Sequence, residues 1–157
     1  MPTAINFENV YFPTPGMFDI DANVTMTEGP STLHWPAGLT PTAIQVDQST
    51  TFTFKWNLTG MLASGSFGAG NLKIDVFYEP VSAGTVVLIP TTNVALTPTK
   101  LTGATATVDV LVTPGTVPQG IYRIVVRFGA YLAPAFLQPT SPACGFAELG
   151  LIEYYKG

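Results

Sequence analysis

The chain reads as an all-β protein, an antiparallel sandwich with an extended N-terminal arm, on three features of its 157 residues. It holds 22 Thr, 14 Val and 8 Ile, β-branched residues that suit strands and lose side-chain freedom in helices. It also holds 15 Gly and 14 Pro, which punctuate a chain with turns. Several segments alternate apolar and polar residues with a period of two, the pattern of a half-buried strand. Hydrophobic residues make up 46% and charged residues 10%, whereas disorder needs low hydrophobicity and high charge. The length is that of one domain, enough to bury roughly 68–70% of the unfolded surface without staples.

Taken in order, residues 5–12 and 17–27 fit strands, the second with Phe18, Ile20, Ala22, Val24 and Met26 on one face. Residues 28–42 carry Pro30, Pro36 and Pro41, which suit an extended connection better than a central strand. Residues 1–42 are therefore read as an arm and 43–157 as the sandwich. In 49–58, Phe52, Phe54, Trp56 and Leu58 alternate with Thr51, Thr53, Lys55 and Asn57. A glycine-rich connection leads to 72–79, where Leu72, Ile74, Val76 and Tyr78 share a face. A short apolar strand, 85–89, stops at Pro90, and 104–112 alternates again through Ala106, Val108, Val110 and Val112. Pro114-Gly115 and Pro118-Gln119-Gly120 mark turns. Residues 121–128 form the strongest strand: Tyr122, Ile124, Val126 and Phe128 face one way, Ile121, Arg123, Val125 and Arg127 the other. A last strand fits 146–155. No repeat and no helix is expected.

The strands from TTFTFKWNLTG through NLKIDVFYEP and ATVDVLVTPGT to the turn before IYRIVVRF resemble strands B, C, E and F of an immunoglobulin-like or fibronectin type III-like sandwich. The resemblance covers residues 43–156 and implies a tyrosine corner at Tyr122. The chain lacks the Cys…Trp…Cys arrangement of antibody domains, and Trp56 falls on the B-like strand. Such sandwiches host unrelated functions, so the likeness implies a fold and no activity.

The net charge is −4, with no Lys or Arg before Lys55. Binding to a phosphate backbone or an anionic lipid surface needs clustered cations, so neither nucleic acid nor membrane is expected as a partner. The single cysteine, Cys144, cannot close an internal disulfide. No signal peptide or membrane-spanning run is expected from the pattern, which leaves the compartment open, an extracellular assembly or a virion included.

Asp19, Asp21 and Asn23 match the first ligands of a calcium loop, but Val24 stands where the loop needs its Gly and Pro30 where it needs its Glu. On a strand these three would stand about 6.8 Å apart, too far to share an ion, so they are weak metal candidates. One His, one Cys and no G-x-S-x-G leave acid–base and nucleophilic chemistry unsupplied, so no enzyme and no cofactor is expected. Glu148 and Glu153 would share a face only if Gly150 carried a bulge.

Residues 29–46, 56–72, 80–99 and 128–147 contain no charge at all. With a mean hydropathy of +0.34, such a surface suits burial against a partner. The expected function is a structural subunit that associates with copies of itself into a filament, tube, appendage or virion shell. The alternative is a binding module for a glycan or another ligand, or a contact with another structural protein. The expected interface residues are Phe7, Phe12, Phe18 and Ile20 in the arm and Tyr131, Leu132, Phe136 and Leu137 in the 129–145 loop.

Overall fold

The computed structural model describes residues 2–9, 19–29, 41–60, 70–131 and 143–157. It is an all-β fold of two sheets. The smaller sheet has the order β1 (Thr3–Ala4), β3 (Asp19–Gly29), β5 (Ser49–Thr59), β9 (Thr107–Val112). The larger runs β2 (Asn6–Asn9), β11 (Ala143–Tyr155), β10 (Gly120–Tyr131), β6 (Asn71–Pro80), β7 (Val87–Leu88), with β8 (Thr92–Ala95) beside the other half of β6. β4 (Ala43–Gln45) lies parallel to the end of β11, and the other pairings are antiparallel.

Alternation places the core as expected. Phe52, Phe54, Trp56 and Leu58 of β5 face Leu72, Ile74, Val76 and Tyr78 of β6 and Tyr122, Ile124, Val126 and Phe128 of β10, all buried in one cluster. Phe128 is its aromatic hub, 5.7 Å from Phe7, 6.0 Å from Trp56 and 6.4 Å from Phe54 between ring centroids. The Trp56 indole N–H, which a core indole must satisfy, donates to the Lys100 carbonyl at 2.7 Å.

On β11 the buried residues Ala147 and Ile152 have opposite parity. A regular strand would expose one of them; here Val125 pairs with Glu148 and Ile124 with Gly150, so Leu149 is the extra residue of a bulge. Gly150, at φ 92°, takes the left-handed conformation that this kink requires.

Three departures from the sequence reading have physical causes. β10 continues through Gly129, Ala130 and Tyr131, where a loop was expected. Gly129 and Ala130 are buried in the middle of the sheet, paired with Lys73 and Leu72 on one side and Cys144 and Ala143 on the other, and the first proline comes only at 134. β8 follows Pro90 unannounced, its register set by the edge of β6, where Thr92 pairs with Ile74. Finally, the described parts of 1–42 lie within the chain's own sheets: β3 pairs with β5 over eleven residues and buries Ala22, Val24 and Met26. Residues 2–9 step from the smaller sheet, on β3, to the larger, on β11, and bury Ile5 on the way.

Candidate functional site

The outer face of the larger sheet is built from the opposite parity to the core. Across β6, β10 and β11 its rows are Asp75–Arg127–Phe146, Phe77–Val125–Glu148 and Glu79–Arg123–Leu151, followed by Ile121–Glu153. Leu88 stands directly opposite Phe77, and Val81 follows Pro80 with its N–H bonded to the Ile121 carbonyl at 3.0 Å. Val81, Val86, Leu88, Ile121, Phe146 and Leu151 each leave between 48% and 60% of their surface in water. Apolar side chains on both parities of β10 are the reason: the strand has a buried face and a second apolar one.

The two arginines in this face are matched, whereas Glu148 and Glu153 make no ion pair among the described residues. Arg123 donates from Nε to Glu79 at 2.9 Å, and Arg127 donates from Nε and Nη2 to the buried Asp75, which also accepts from the Thr91 hydroxyl at 2.5 Å. The Arg127 guanidinium lies 5.9 Å over the Phe77 ring. Hydrogen bonds to their carboxylates raise both guanidinium pKa values further above their ordinary range. What remains for a ligand is an apolar surface that also carries the Glu148 and Glu153 carboxylates. An open cleft of about 600 Å³ adjoins it between 82–88 and Pro118–Tyr122, and no charged side chain lines it. Removal from water is the chemistry on offer, which favours a broad apolar partner.

Asp19, Asp21 and Asn23 alternate on the outer face of the smaller sheet, opposite Thr59, Asn57 and Lys55. Among the described residues no three His, Cys, Asp or Glu side chains cluster as a metal site would. The bulge does bring Glu148 and Glu153 to one face, yet their partners Val125 and Ile121 are four residues apart. At a strand's rise that is roughly 13 Å, beyond the 5–10 Å of a paired-carboxylate site.

Of the expected interface residues, Phe7 is half-buried with its ring edge on Phe128, a contact that needs Gly145: a Cβ there would stand 2.6 Å from Ile5 and 2.7 Å from Phe7. Ile20 is half-buried against the core. Tyr131 is half-buried, the Lys73 ammonium 4.9 Å from its ring centroid. Phe12, Phe18, Leu132, Phe136 and Leu137 lie outside the described residues, as do His34 and Trp35. Trp56, the other tryptophan that a sugar platform would draw on, is in the core. No described helix is long and apolar enough to cross a membrane.

A polar cluster inside the sandwich was missed. The Tyr154 hydroxyl is 2.8 Å from that of Thr50 and 3.1 Å from that of Tyr78, with Tyr122 packed edge-on to both tyrosine rings. Burial pushes the Tyr78 and Tyr154 phenols up. Glu28, across from Thr50 on β3, is buried beside them, and its Oε2 has no hydrogen-bond partner among the described residues. Its parity is that of Ala22, Val24 and Met26, which is the signal that finds it.

No family model, no curated protein and no solved structure matches this chain.

Proposed function

We propose that the protein is a non-enzymatic structural subunit, which associates with copies of itself into a filament, tube, appendage or shell. One observation carries the reading: the six half-exposed apolar side chains that rim the ion-paired rows of the larger sheet. Full burial is worth roughly 1.5–3 kcal/mol per side chain, so six half-exposed ones supply about 5–9 kcal/mol. Association costs about 4–15 kcal/mol in lost freedom. A single contact of this kind is therefore weak, and repetition in an assembly is what makes it hold.

The fold, on this reading, is immunoglobulin-like. The order β3-β5-β9 against β11-β10-β6, with β4 parallel to β11, supports it. So does the Tyr122 hydroxyl, which donates to the Pro118 carbonyl at 3.0 Å in the manner of a tyrosine corner.

Light scattering on a size-exclusion column, run over a hundredfold range of concentration, tests the function. The expected result is mass that rises with concentration, and its loss in the double substitution Ile121→Thr, Leu151→Thr at unchanged melting temperature. A monomer throughout the range would sink the proposal.

A further inference from the structure

β9 ends the smaller sheet: β5 flanks it on one side, and among the described residues no strand flanks it on the other. The Trp56 N–H donates to the Ala106 carbonyl at 3.1 Å, and the register runs on through Phe54–Val108, Phe52–Val110 and Thr50–Val112. Antiparallel ladders alternate in direction. The N–H and C=O groups of Val108, Val110 and Val112 therefore point at β5, and those of Thr107, Asp109 and Leu111 point along the open edge. Sheets usually blunt such an edge with Pro, Lys, a bulge or an inward charge. β9, with the sequence TVDVLV, has none of these, since Asp109 lies on the outer face, where it accepts from the Thr53 hydroxyl at 2.6 Å. Leu111, on the same outer face, is 58% exposed.

An open edge of this kind takes an extended strand, and the side chains choose which. A two-fold pairing of β9 with itself centred on residue 109 sets Asp109 against its own copy, which like charges forbid. Centred on 110, it sets Asp109 against Leu111 and diagonally beside its copy. Centred on 111, it sets Leu111 against Leu111, Val110 against Val112, and Asp109 against Thr113, whose hydroxyl can donate to the carboxylate. In that register the exposed leucine is covered by its copy and no like charges meet.

We propose that two copies join edge to edge through β9, antiparallel about a two-fold axis at Leu111, so that the two four-stranded sheets become one of eight strands. This rests on the self-association reading but uses a surface separate from the outer face of the larger sheet. A subunit with this two-fold contact and a second, separate contact propagates, either to closure or into an open filament.

Disulfide trapping tests the register. In a Cys144→Ser background, Leu111→Cys places two thiols on residues about 5.5 Å apart between Cα atoms, inside the range that a disulfide spans. Thr107→Cys is the control, because its copies stand eight residues, or roughly 27 Å, apart in this register. Under mild oxidant the Leu111→Cys protein should yield at least tenfold more covalent dimer than the control. Leu111→Lys should weaken association at least tenfold with an unchanged melting temperature. Equal cross-linking at both positions, or more at Asp109→Cys than at Leu111→Cys, overturns the proposal. If the wild-type chain associates while Leu111→Cys stays uncross-linked, the edge contact falls and the assembly reading stands. If the wild-type chain is monomeric throughout, both fall.

Discussion

The two sheets place their hydroxyl groups in opposite ways. Apart from the buried Thr50, the smaller sheet turns its own outward: Thr25 stands against Thr53 and Thr27 against Thr51, with Asn23, Asn57 and Thr107 nearby. The larger sheet turns phenols inward, at Tyr78, Tyr122 and Tyr154, and sets exposed apolar side chains among the charged ones outside. Threonine is β-branched, so an array of it favours strands while it stays hydrated. A sheet that instead shows Leu, Ile and Phe to water is shaped for something other than water. The comparison separates a face rich in hydroxyl and amide groups from one that mixes ion pairs with exposed apolar side chains, although both stand on the same core.

The largest expected effect comes from the inward phenols. Burial raises the pKa of Tyr78 and Tyr154, so the folded chain holds their protons above pH 10 while the unfolded chain releases them. Stability is then fully present below pH 10 and falls as the pH rises beyond it, by about 1.4 kcal/mol per unit for Tyr78, with a further loss from Tyr154. Denaturant titrations at pH 9, 10 and 11 should show this loss, and the tyrosinate absorbance of these two should appear only with unfolding. Tyr78→Phe should reduce the slope by about 1.4 kcal/mol per pH unit. A midpoint that is flat to pH 11 would mean that the phenols are not held neutral by the fold.

A smaller effect contrasts a carboxylate on each outer face. Asp75 is buried under Arg127 and Thr91, whereas Asp109 is exposed and bonded to Thr53. Asp75→Ala removes the partner of a half-exposed guanidinium and empties a buried site, a cost of about 2–3 kcal/mol. Asp109→Ala breaks an exposed contact, which is worth at most about 0.5 kcal/mol. Equal losses in chemical denaturation would contradict this contrast between the two faces.

Much of this contrast was legible in the residues. Alternation in 49–58, 72–79 and 121–128 located three central strands, because a period of two is a direct readout of a half-buried face. It also showed Ile121 and Val125 on the second face of the last, which is where the apolar outer surface begins. The bulge was less legible: only the opposite parity of Ala147 and Ile152, beside Gly150, announces it. β8 was invisible, since its strand character comes from pairing with β6 rather than from its own pattern. Gly129 and Ala130 were read as loop-formers because small residues mark turns and tight packing alike, and here packing decides.

The smallest effect tests the boundary between the two sheets. Glu28, like its neighbour Thr50, points inward from a sheet that otherwise keeps its polar groups outside, and among the described residues its Oε2 atom is buried without a donor. A buried polar atom without a partner costs about 1–3 kcal/mol, since the water it gave up is not replaced. Methionine has nearly the same length, bends to fill the same space and leaves no orphan acceptor. It also removes a negative charge that raises the Tyr154 pKa. Glu28→Met should therefore stabilise the chain by about 1–2 kcal/mol in chemical denaturation, with the Tyr154–Thr50 bond kept. If the substitution instead costs stability, Glu28 has a partner in solution that balances its burial. The smaller sheet would then carry a polar site inside as well as out.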